Sequence, residues 1–163
     1  MYANALYRRG FVKEGWKALK TLADTALNFD VSHIYPGIPE YFRADGRGMY
    51  HYLTGAASWF MMTMITEVFG VRGETGNLMI RPKLLAEQLD ADKAVSITIP
   101  FAGKLFRITC INKNQKDYGA YIIGFAECGK VPLTVCADSY VIIPSETLAA
   151  LPDGINKITI KLI

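Results

Sequence analysis

The chain reads as α+β, helical over its first seventy residues and built of short strands thereafter. Two observations carry this. Before residue 71 apolar side chains recur at spacings of three and four, and after it they alternate with polar ones. A third is the run Val71-Arg72-Gly73-Glu74-Thr75-Gly76, whose glycines and charges mark a boundary. The expected organisation is therefore a helical region over 1–70 and a β domain over 71–163.

Residues 2–9 are expected to be helical, with Gly10 as the stop signal. A second helix is expected over 11–28. Val12, Trp16, Leu19, Ala23, Ala26 and Leu27 form its apolar face, opposite Lys13, Glu14, Lys17, Lys20 and Asp24. Residues 28–48 hold Pro36, Gly37, Pro39, Gly46 and Gly48 and read as a long irregular connection, a kind of loop that usually carries function. A third helix is expected over 55–69, ended by Gly70.

Strands are expected at 77–81, 95–100, 104–111, 119–126, 131–135, 139–143 and 157–163. Alternation is plainest where Ile97 and Ile99 interleave with Ser96 and Thr98, and where Ile158, Ile160 and Leu162 interleave with Thr159 and Lys161. Ala102-Gly103, Asn112-Lys113-Asn114, Cys128-Gly129 and Asp153-Gly154 are the turns between them. So many short strands in so few residues predict an antiparallel sandwich, with one helical turn over 145–151 capped by Ser145.

Composition excludes several function classes. The 163 residues are 51% hydrophobic and 20% charged, as in an ordinary folded protein. A net charge of +3, with no basic run longer than Arg8-Arg9, leaves no footprint for nucleic acid. Cys110, Cys128 and Cys136 lack CxxC spacing and read as free thiols of a reducing compartment, so the cytoplasm is the expected location. The apolar stretch 52–71 has the length of a membrane span but carries Thr54, Ser58, Thr63, Thr66 and Glu67. An ionised Glu67 alone would cost about 2.5–3.5 kcal/mol at mid-bilayer. A helix buried within a larger helical assembly fits better, and no membrane partner is expected.

The richest chemistry lies in Gly46-Arg47-Gly48-Met49-Tyr50-His51-Tyr52-Leu53-Thr54-Gly55, directly before the apolar third helix. The first turn of a helix has N–H groups without intrahelical partners and the positive end of the dipole. Gly55 would let an anion approach that backbone, and Thr54 adds a hydroxyl. The same pattern is also what a plain threonine cap requires. Arg43 and Arg47 are either anion contacts or partners for Asp45 and Glu40. His51 is a packed histidine or, less readily, a metal ligand, for His33 stands alone and no metal site is expected. Tyr41, Phe42, Tyr50, Tyr52 and Trp59 form a sugar-stacking wall or part of the core. Glu40 and Asp45 are an acid–base pair or, more simply, surface carboxylates.

Three runs taken together resemble the C-terminal part of the family 94 glycoside phosphorylases, which include the cellobiose and chitobiose phosphorylases. They are Ile38-Pro39-Glu40-Tyr41-Phe42, Gly46-Arg47-Gly48-Met49-Tyr50 and Tyr52-Leu53-Thr54-Gly55-Ala56-Ala57-Ser58-Trp59. The likeness continues through Glu67-Val68-Phe69-Gly70-Val71 into Leu78-Met79-Ile80-Arg81-Pro82-Lys83 and is strongest over about residues 36–90. It implies the last helices of an (α/α)6 barrel followed by a C-terminal β domain. The implied reaction is phosphorolysis of a β-linked disaccharide with inversion, giving a sugar 1-phosphate, with inorganic phosphate as co-substrate and no other cofactor. Thr54 and Gly55 match the family's phosphate-contacting pair, while Arg47, Glu40 and Tyr41 would belong to a substrate or anion loop. The family's general acid lies upstream of this motif, so no residue here is expected to be catalytic. The implied partners are the disaccharide, phosphate, the remainder of a parent chain and a second copy in a homodimer. The contrasting expectation is a freestanding β-sandwich module that binds sugars or protein without catalysis.

Overall fold

Val12, Leu19 and Ala26 recur two turns apart and are all buried, which sets the inner face of α2 (Val12–Leu27). A Cβ at Gly15 would lie 2.5 Å from Tyr7 Cδ2, so glycine lets α1 (Tyr2–Arg8) press its buried Tyr7 against α2. These details come from a computed structural model that describes every residue except Pro36, His51 and Leu53. The chain divides into two compact units, Met1–Glu67 and Val68–Ile163.

In the first unit, the stretch expected to be irregular contains a short helix α3 (Phe29–Ser32) and a ribbon of β1 (Tyr41–Phe42) and β2 (Gly48–Met49). Gly46, at φ +87°, turns the ribbon, and its N–H donates to the Arg43 carbonyl at 2.9 Å. Elements of two to four residues are too short to show a period in the sequence. The third helix begins at Gly55 as expected, but α4 (Gly55–Thr63) passes into a π-helical turn over Met64–Val68. Here Thr63 Oγ1 donates to the Trp59 carbonyl at 2.7 Å and accepts from Asn4 Nδ2 at 3.3 Å, tying α4 to α1. Glu67, 1% exposed, sits on that π turn with Arg8 Nε 3.9 Å away.

The second unit holds two sheets, and the run expected to be a boundary is itself a hairpin. Thr75 (φ +47°) and Gly76 (φ +87°) join β3 (Val71–Glu74) to β4 (Asn77–Ile80). With β9 (Val135–Cys136) and β10 (Tyr140–Ile143) they form a four-stranded sheet in the order β3-β4-β10-β9.

The five-stranded sheet runs β5-β6-β11-β7-β8, from β5 (Ala94–Phe101), β6 (Lys104–Ile111), β7 (Ile123–Cys128), β8 (Val131–Pro132) and β11 (Ile155–Leu162). The expectation of purely antiparallel strands is corrected here, because β11 pairs parallel to β6, Ile155 facing Leu105 through Lys161 facing Ile111. Alternation says which side chains face inward and nothing about strand direction. The inward faces of these two strands, Phe106, Ile108 and Cys110 with Ile158, Ile160 and Leu162, form the buried centre.

Three smaller expectations shift. β7 starts at Ile123 because residues 117–120 are spent on a turn, where the Ala120 N–H donates to the Asp117 carbonyl. The strand expected over 131–135 is split into β8 and β9. Pro144, not Ser145, is the N-cap of α5 (Ser145–Ala150), and the Ser145 N–H donates instead to Asn77 Oδ1 at 2.9 Å.

Candidate functional site

Thr54 leaves the preceding loop in extended conformation (φ −75°, ψ 130°) and caps α4, its Oγ1 accepting from the Ala57 N–H at 3.2 Å. The same hydroxyl donates to the Ile38 carbonyl at 2.7 Å. Its one proton and one of its lone pairs are therefore committed, and Thr54 fastens the Ile38–Glu40 segment to the helix start. The next free N–H group, that of Ala56, donates to Glu40 Oε2 at 3.1 Å. A Cβ at Gly55 would lie 3.5 and 3.6 Å from the two Glu40 oxygens, ordinary contact distances. The helix N-terminus thus already holds an anion, and that anion is the chain's own exposed carboxylate.

The ribbon aims Glu40 at this corner. The Glu40 N–H donates to the Tyr50 carbonyl at 2.9 Å. Gly48 packs where a Cβ would fall 2.5 Å from Ile34 Cγ1 and 2.9 Å from Pro39 Cγ, so its role is close packing of the loop. Arg43 Nη2 pairs with Asp45 Oδ2 at 3.2 Å, and Asp45 Oδ1 also accepts from the Arg47 N–H at 3.1 Å. Asp45 is consumed in the ribbon turn, apart from Glu40, and the two make no acid–base pair. The Arg47 side chain is exposed at the ribbon tip.

The aromatic residues divide. Tyr41 and Tyr50 are exposed with ring centroids 5.7 Å apart, and Tyr52 is exposed as well, whereas Phe42 and Trp59 are half-buried. An apolar cleft of about 470 Å³ opens beside the corner, lined by Leu19, Leu22, Trp59 and Phe60 with Glu40 and Gly55 at one side. His51 and Leu53 lie outside the described residues. His33 adopts a left-handed conformation (φ +52°) with its ring edge-on to Phe29, and among the described residues no His, Cys, Asp or Glu cluster suits a metal ion.

The sequence pointed to the helix start through Thr54 and Gly55. It missed that Glu40 occupies this start, since a carboxylate reaching from another segment leaves no local spacing to read. The cysteines are free, and burial pushes the Cys110 thiol up to about 12 and that of Cys128 in the same direction. No described helix is long and apolar enough to cross a membrane. Neither a family model nor a curated protein matches the chain.

Proposed function

We propose that this chain is the C-terminal portion of an inverting glycoside phosphorylase, supplying part of the phosphate site from the start of α4 and the final β domain. The observation that carries the reading is the Ala56 N–H with a carboxylate oxygen on it, at an exposed glycine and next to a threonine cap. Glu40 Oε2 stands where a phosphate oxygen would sit. Phosphate arriving there displaces an exposed side chain that can swing into solvent, and the helix start gains a more highly charged anion. Thr54 serves the site by holding the loop and the helix start in register. The reaction needs one acid to protonate the leaving oxygen while phosphate attacks the anomeric carbon. That acid belongs to a segment outside this chain.

Exposed apolar surface in the first unit supports the same reading. Phe11, Leu27, Phe29, Met61 and Met62 are exposed, and the apolar cleft faces α1, α2 and α4. Such surface suits helices that meet further helices of an (α/α)6 barrel. A cytoplasmic enzyme acting on a disaccharide, with the remainder of a parent chain and a second copy as partners, completes the proposal.

Amide spectra recorded during titration with inorganic phosphate test it. The Gly55, Ala56 and Ala57 resonances are expected to move saturably, and those of Gly55 and Ala57 to stop moving in Ala56→Pro, which removes the N–H that holds the anion at a first-turn position where proline is tolerated. Shifts scattered over the lysines, or equal shifts in Ala56→Pro, would overturn the assignment of the corner and favour a module without phosphate chemistry.

A further inference from the structure

In an antiparallel ribbon, residues directly opposite each other share a face, and successive residues along a strand alternate between faces. β1 and β2 pair Tyr41 with Met49 and Phe42 with Gly48, so the next position in register sets Glu40 against Tyr50. The Glu40 N–H donating to the Tyr50 carbonyl at 2.9 Å continues the pairing there. Regular alternation would therefore put the Tyr50 ring on the opposite face from Tyr41. Instead the two ring centroids lie 5.7 Å apart, with the ring planes at 46° to each other.

The backbone of Tyr50 accounts for the departure. It stands at φ +55°, in the left-handed region, which is rare for a bulky residue and unfavourable for any residue with a Cβ. A left-handed residue interrupts the alternation of side chains, and here it brings Tyr50 beside Tyr41. The contact does little for the fold. Tyr41 remains 48% exposed and Tyr50 69% exposed, so little apolar area leaves water to offset the strain. Strain held without a matching gain in packing is characteristic of ligand clamps.

We propose that Tyr41 and Tyr50 form a stacking platform for a pyranose ring, assembled by the left-handed turn at Tyr50. The choice of a sugar rests on the phosphorylase reading, whereas the platform rests on the Tyr50 backbone and the ring contact. Two neighbouring tyrosines, both open to water, present adjoining π faces and polar hydroxyl rims. A pyranose matches both features, with C–H groups on its ring face and hydroxyls around its edge. Glu40, whose carboxylate sits on the Ala56 N–H, immediately precedes Tyr41. One short segment thus touches the helix start and carries one ring of the platform.

Tyr50→Gly separates this role from a structural one. Glycine takes φ +55° without strain, so the variant is expected to unfold at a higher urea concentration than the wild type while losing its response to sugar. Titration of the full chain with cellobiose is expected to move the ring resonances of Tyr41 and Tyr50 saturably. The same movement is expected in Tyr50→Phe, which keeps the ring, whereas Tyr41 is expected to stay unmoved in Tyr50→Gly. A wild-type chain whose tyrosine rings do not respond, a Tyr50→Gly variant in which Tyr41 responds as in the wild type, or one that unfolds at lower urea would overturn the proposal. Inorganic phosphate is titrated into the same proteins and read at the Gly55 and Ala57 amides. A wild-type chain that answers phosphate but not cellobiose loses the platform alone, and one that answers cellobiose but not phosphate loses the corner alone.

Discussion

Thr54 illustrates how one hydroxyl serves two segments. It accepts from Ala57 in its own helix and donates to Ile38 sixteen residues back. The first bond is the usual work of an N-cap threonine, worth about 0.5–2 kcal/mol. The second keeps Glu40 within reach of Ala56. Thr54→Ala is therefore expected to lower stability by about 1–2 kcal/mol in denaturant unfolding, toward the upper end for a cap because the Ile38 carbonyl also loses its partner. Gly55→Ala is expected to leave the unfolding midpoint unchanged or slightly raised, since alanine is the better helix former and its Cβ meets nothing closer than the Glu40 oxygens. Equal losses for the two variants would mean that the corner is organised differently. From the residues alone, cap and anion site could not be told apart at Thr54, because both demand the same hydroxyl at the same helix position. Glu40 separates them only once its distance to Ala56 is known.

Strands and helices follow from periodicity to differing degrees. β6 spans the range its alternation predicts, and β4, β5, β10 and β11 lie within a residue or two of theirs. What alternation does not carry is direction, and the parallel match of β11 to β6 had no local signal. Residues 71–76 read as a boundary because β3 is short, charged and interrupted by Gly73, so only the second strand of the Thr75-Gly76 hairpin is legible from its apolar residues. Central placement of β6 has a measurable consequence. Cys110 lies fully buried there, and its thiol is pushed up to about 12 against an ordinary value of 9.0. A group raised on folding stabilises the native state fully below its unfolded value and loses that contribution as pH climbs through the folded one. Stability of the wild type is therefore expected to fall between pH 9 and 11 more steeply than that of Cys110→Ala, measured as the difference between their urea midpoints. Parallel curves for the two proteins would show that β6 opens to solvent in the native state.

At the scale of the whole molecule, the division into an α-rich and a β-rich unit was visible as a change of hydrophobic period near residue 71, and the chain divides between Glu67 and Val68. The exposed apolar residues of the first unit were foreshadowed by a third helix apolar around most of its girth. In the proposed reading, further helices of a barrel cover that surface. The proposed account, in which the segment completes a barrel and contributes to its phosphate site, rests on the Thr-Gly corner and the exposed apolar helix faces. The most direct test is the size of the native gene product, detected with an antibody against residues of the β unit. The account predicts a single polypeptide several times larger than 18.1 kDa, and a native product of 18.1 kDa would contradict it.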